Sequence, residues 1–331
     1  MKQRVYFVPS VMGAAVIILC FFMFSAAYAG ENNAEKNRER IKNSKIKEQI
    51  QYTYILSKKD DSGFVSCKKM FDRNGNLLRE AWFGSDKLMF SDLNCMYDND
   101  GNCTEETRYS RKDKFTRYVY KYNQMKLKTD IEIFKDNGYA EKRSFLYDKE
   151  GRLIENFITR PDNDYDKFSY IYDEKGNQIK VVCVRKSEPA GYYSFTYDTC
   201  NNKIMDLCFG ADGSAVTRII RKFDSTGLKT EEIQYKGTNE FALKRIFSYD
   251  TNKFLTSEID VDTTDKILLE LKYVNNPEGQ HLEETSINEK GITNIHRVIR
   301  YDSKGNITEE VYYNTEGKPD KTIKYRYEYY N

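Results

Sequence analysis

The chain has 331 residues, of which 39% are hydrophobic, 31% charged and 14% aromatic, with 27 Tyr and 19 Phe. So aromatic a composition excludes a disordered chain, a single long apolar run excludes a polytopic membrane protein, and 2 His leave little room for histidine chemistry or zinc. Lys plus Arg is 53 against 51 Asp plus Glu, so no net charge draws the chain to nucleic acid.

Residues 1–29 have the three parts of a secretory signal peptide. Lys2 and Arg4 form a basic start, Val11 to Phe24 is an apolar run, and Ala27-Tyr28-Ala29 is a small-x-small cleavage site. The run is short for a membrane span, so cleavage before Gly30 is expected, with no span left afterwards. Cys20 follows Leu19 and does not resemble a lipoprotein acceptor. An exported chain permits disulfides. Cys67, Cys95, Cys103, Cys183, Cys200 and Cys208 remain after cleavage. Spacing selects no pairing among them, and burial as small apolar side chains is an equal reading.

Residues 30–50 are polar and charged and read as a flexible or helical lead-in. Gln51 to Leu56 reads as a capping strand. Residues 51–331 form one repeat domain. Turns of the form Tyr/Phe-Asp-x-x-Gly-Asn recur, with leading aromatics Phe71, Tyr97, Tyr122, Tyr147, Tyr172, Tyr197, Phe223, Tyr249, Tyr273, Tyr301 and Tyr327. The period is about 25 residues, with the largest departures on either side of Tyr273.

Alternation at period two before each aromatic, as in Phe168-Tyr170-Tyr172, predicts a half-buried strand. Asp opens a type I turn and Gly75, Gly101, Gly151, Gly176, Gly227 and Gly305 supply its left-handed residue. Asn201 takes that place in one copy. A second alternating strand follows, and a looser polar turn returns the chain. The predicted fold is therefore all-β: tandem antiparallel β-hairpins forming a long, twisted, curling or solenoid-like sheet of about 22 strands.

A second column accompanies the aromatics: Glu80, Glu106, Asp130, Asp206, Glu232, Glu258, Glu284 and Glu310. Aligning it requires a one-residue deletion in the turn after Tyr122 and a two-residue insertion after Tyr273. The alternation places it on the face opposite the aromatics. It reads as a solvated face of carboxylates paired with Lys and Arg on neighbouring strands; a cation-binding stripe is the alternative.

The Tyr-Asp pairs at 97, 147, 172, 197, 249 and 301, with Gly at 101, 151, 176 and 305, resemble the YD repeats of the RHS family over about residues 64–331. Tyr312 to Lys318 is similar, more weakly, to MORN-like or YwqK-type hairpin repeats. The first resemblance implies a spiralling β-sheet shell, which in that family surrounds a toxin, and carbohydrate binding by the repeats.

No catalytic, cofactor or metal site is expected. Asp98 to Asn102 begins like a calcium loop, but Cys103 and Tyr109 stand where Gly and Glu are needed. His281 and His296 lack matching cysteines. No nucleophile or phosphate motif occurs. The expected function is an exported, non-catalytic binding or structural module at the cell surface or in the periplasm, with a glycan or protein partner. A secreted glycoside hydrolase or a toxin-associated RHS-type shell fragment is the alternative.

Overall fold

The computed structural model describes residues 35–56, 63–110, 114–136, 138–162 and 164–331. The expected signal peptide lies outside the described residues. Helix α1 spans residues 35–43, within the expected lead-in. The strand after it begins at Ile46, earlier than the expected Gln51.

The strands follow in chain order. They run β1 (Ile46–Ile55), β2 (Phe64–Phe71), β3 (Leu77–Phe83), β4 (Met89–Tyr97), β5 (Cys103–Ser110), β6 (Lys114–Tyr122), β7 (Lys128–Lys135) and β8 (Gly138–Tyr147). Next come β9 (Leu153–Thr159), β10 (Tyr165–Tyr172), β11 (Gln178–Arg185), β12 (Glu188–Tyr197), β13 (Lys203–Phe209), β14 (Ala215–Phe223) and β15 (Lys229–Lys236). The last are β16 (Glu240–Tyr249), β17 (Leu255–Val261), β18 (Ile267–Asn275), β19 (His281–Asn288), β20 (Thr293–Tyr301), β21 (Ile307–Tyr313) and β22 (Pro319–Tyr329).

Each strand pairs antiparallel with the next, and β1 pairs with β22 from Ile46↔Tyr329 to Ile55↔Lys321. The all-β hairpin array is as read from sequence, but the open, solenoid-like sheet is not. The sheet is a closed 22-stranded barrel. The physical reason is the pair of edges. An open array would leave the ladder groups of its first and last strands bare. Accumulated twist brings those edges together, and β1 satisfies both β2 and β22. The segment expected to cap the array is the strand that closes it.

The repeating turn explains its own composition. Asp98 N–H donates to the Asn102 carbonyl and Gly101 N–H to the Asp98 carbonyl, at 3.0 and 3.1 Å. Gly101 sits at φ 80°. One oxygen of the Asp98 carboxylate accepts the N–H groups of Asp100 and Asn102, and the other accepts the Asn102 side-chain amide, each at 2.9 Å. All six expected glycines have positive φ, and Asn201, Lys126 and Lys253 take the same conformation in their copies. The intervening turns are tighter than expected. Those at 84–88, 210–214, 262–266, 288–292 and 314–318 use the same five-residue geometry.

A β-bulge follows each repeating turn and changes which side chains share a face. Tyr97 pairs with Cys103, Met96 with Glu105 and Cys95 with Glu106. Thr104 is therefore the extra residue, and Glu106 falls on the face of Tyr97 and Cys95. That face is the crowded one. Tyr193 and Phe195 are each 6% exposed, whereas Met96, just before Tyr97 on the other face, is 62% exposed. Side chains converge on the concave side of a curved sheet, so the aromatic face lines the barrel. Among the described residues, extensive strand contacts join only sequence neighbours and the β1–β22 seam. Among the described residues the apolar core is thus a lining: Ile158, Phe168, Tyr170, Val181, Tyr193 and Phe195 form its largest patch across β9–β12.

Helix α1 sits at the repeating-turn end of the barrel. Its Ile41, with Ile46, packs on Phe71, Leu77 and Tyr327 beside the seam. Arg40 hydrogen-bonds the side chain of Asn306, which is fully buried. The Arg38 carbonyl lies where a side chain at Gly75 would begin, 2.2 Å from an ideal Cβ.

Candidate functional site

The inner aromatic column is a set of clamps. Hydroxyls of Tyr97, Tyr122, Tyr147, Tyr172, Tyr197, Tyr249, Tyr301 and Tyr327 donate to the first carbonyl of the strand one hairpin earlier. The ladder between hairpins stops short of this point; between β9 and β10 it ends at Ser169↔Glu155. Each hydroxyl thus satisfies a carbonyl that the diverging strands leave behind. Phe71 and Phe223 hold the same position without the hydroxyl. Burial pushes the Tyr172 and Tyr197 phenols up.

Tyr273 is not a member of the column. Asn275 pairs with His281 and donates its side-chain amide to the Leu255 carbonyl at 2.9 Å, as the tyrosines do. Tyr273 instead donates to Glu258 at 3.1 Å. The regular turn 276–280 follows Asn275 directly, so no insertion exists there. Likewise the turn 123–127 has full length, so no deletion follows Tyr122.

These corrections, with the bulge, relocate the acidic column. Glu80, Glu106, Asp206, Glu232, Glu258, Glu284 and Glu310 face inward with the aromatics. Asp130 pairs with Lys121 and faces outward. The inner carboxylates pair with Lys and Arg on their own or adjacent strands. Arg221 joins Asp206 at 2.8 Å and Glu232 at 3.0 Å. Arg297 joins Glu284 at 2.6 Å and Glu310 at 3.0 Å. Tyr312 donates to Glu310 at 2.7 Å, and Tyr325 donates to its other oxygen. Despite burial, Lys229 and Arg221 hold the Glu232 carboxyl below its ordinary value. Pairing with Lys and Arg is as expected; the solvated face is not. The lumen therefore has an apolar arc over β9–β13 and an ion-paired arc over β13–β22.

A second aromatic column escaped the sequence reading. Phe83, Tyr109, Phe134, Phe209, Tyr235 and Tyr313 stand twelve residues after Phe71, Tyr97, Tyr122, Tyr197, Phe223 and Tyr301 respectively. That constant spacing was the signal that could have revealed it. The bulge turns this column outward, at the end of the barrel away from α1. Its rings meet rings on an adjacent strand: Tyr109–Phe115 at 5.5 Å, Phe134–Tyr139 at 6.0 Å, Phe209–Tyr192 at 4.4 Å and Tyr235–Phe241 at 6.2 Å. Arg218 lies 4.3 Å over the Tyr235 ring. Tyr109 and Tyr139 are exposed. Elsewhere the outer face carries ion pairs, including Arg117–Glu105 at 2.6 Å and Lys142–Asp130 at 2.9 Å.

The remaining candidates resolve into local structure. The carboxylate of Asp98 is occupied by its turn. His281 packs edge-on to Tyr273 and His296 stacks on Tyr313, at 4.8 and 4.6 Å. The side-chain amides of Asn102 and Asn306 donate to Asp98 and Asp302.

No protein-family model and no curated protein matches this sequence. Among solved structures, the chain is similar to one in the crystal structure of TcdB2-TccC3-Cdc42, with TM-score 0.33 and 12% identity, over 82% of this chain and 17% of that one. It is also similar to a porin-like protein from Bacteroides uniformis, with TM-score 0.32 and 9% identity, over 86% of this chain and 98% of that one. A porin-like protein from Bacteroides vulgatus gives TM-score 0.25 and 9% identity over the same shares.

Proposed function

We propose that the protein is an exported, non-catalytic binding scaffold whose outer aromatic rim contacts a glycan or protein surface. The observation that carries this reading is the outward column from Phe83 to Tyr313, repeated around a closed barrel with Tyr109 and Tyr139 exposed. Repeated weak contacts suit an extended polymer or a broad protein surface. The inner tyrosines are the poorer candidates, because their hydroxyls are committed to the backbone. The inner carboxylates are held in ion pairs and are poorly placed to act as an acid and base. The outer ion pairs support a barrel bathed in water, since charges facing lipid cost about 2–4 kcal/mol each near the midplane.

The test is a screen of the exported protein against glycans and purified surface proteins, repeated with Tyr109→Ala and Tyr139→Ala combined. Binding that falls at least about tenfold in the folded variant, the loss of one or two weak contacts, supports the reading. Turnover of a polysaccharide or peptide, abolished by a single Glu→Gln change, overturns it.

A further inference from the structure

We propose that Cys95 and Cys103 form a reversible disulfide that closes the β4–β5 hairpin on the inner face of the barrel. Cys95 pairs with Glu106 and Cys103 with Tyr97. Cys95 stands two residues before Tyr97 and shares its face, and Cys103 stands directly across from Tyr97, so the two thiols are diagonal neighbours across the hairpin. The Cys103 thiol in turn donates to the Glu105 carbonyl at 3.4 Å. Both residues are partly exposed, so a small reagent can reach them.

The other cysteines are placed differently. Cys67 is buried opposite Trp82, and burial pushes its thiol up to about 12. Cys183 and Cys208 lie on strands separated by β12, opposite Gly191 and Tyr193. Cys200 is on an exposed turn.

The contact assigns the roles. Interaction between the two neighbouring side chains holds the Cys103 thiol below its ordinary value and pushes Cys95 up. Cys103 is therefore the attacking thiolate. It displaces one thiolate from a small disulfide oxidant such as oxidised glutathione, giving a mixed disulfide. Cys95 then loses its proton and attacks the Cys103 sulfur, expelling the second thiolate. Two protein S–H bonds and the oxidant's S–S bond are consumed. One protein S–S bond and two small thiols form.

The full chain is treated with oxidised glutathione or with a reductant, then blocked with an alkylating reagent. The expected oxidised product carries two fewer alkyl groups than the reduced, alkylated protein. Chymotryptic cleavage after Tyr97 leaves its two fragments joined through Cys95 and Cys103. Cys103→Ser abolishes the bond, while Cys67→Ser and Cys200→Ser retain it. Alkylation of both thiols after oxidation, or a bond to another cysteine, overturns the proposal; the wild-type readout decides even if a variant fails to fold.

Discussion

The hydroxyl of Tyr172 donates to the main-chain carbonyl of Leu153, 2.8 Å away and 19 residues earlier. It crosses from one hairpin to the previous one just where their ladder has ended. Tyr172→Phe should therefore cost about 1 kcal/mol, the net worth of one hydrogen bond, with little change in ring packing. Urea midpoints of wild type and variant check this. An unchanged midpoint would mean that the hydroxyl is not a clamp.

Gly75→Ala should destabilise the protein more than Gly176→Ala. Both glycines have positive φ, but a Cβ at Gly75 meets the Arg38 carbonyl, whereas at Gly176 the nearest atom is the end of Arg152 at 3.9 Å. Thermal unfolding of the two variants measures the difference, and equal midpoints would detach α1 from the barrel rim.

Lys253→Gly should stabilise by roughly 1 kcal/mol, since Lys253 holds φ 67° and a side chain resists that region. Denaturant titration reads the gain; a loss would contradict the turn geometry.

Arg221→Ala should cost about 3 kcal/mol, because it leaves Asp206 and Glu232 buried without their shared partner. Arg300→Ala, at an exposed pair with Glu309, should be nearly neutral. Comparing both unfolding midpoints tests whether the inner ion pairs differ from outer ones.

Stability should fall in acid. Hydrogen bonds from Asn102 hold the Asp98 carboxyl below its usual value, and those from Asn202 do the same for Asp198. A depressed folded value means that the contribution is present above the unfolded value, near 3.8, and is lost as pH falls through the folded one. Midpoints measured from about pH 6 down to about pH 3 should drop below about pH 4. Asp98→Asn should flatten its share of that slope.

The hairpin and its turn were legible in the residues alone, because local chemistry suffices there. Asp98 binds the N–H groups of its own turn, Gly101 takes the left-handed residue, and alternation marks the strands. The inner clamps were visible as a period, though Tyr273 concealed Asn275 because an aromatic two residues away mimics the motif. Parity and closure were not legible. A bulge adds one residue to one strand and so reverses which later side chains face inward. No period in the sequence records that reversal, and it moved Glu106 and Tyr109 to faces opposite those expected from simple alternation. Closure depends on accumulated twist over all 22 strands and on β1 meeting β22, a contact between the two ends of the sheet that no local pattern encodes.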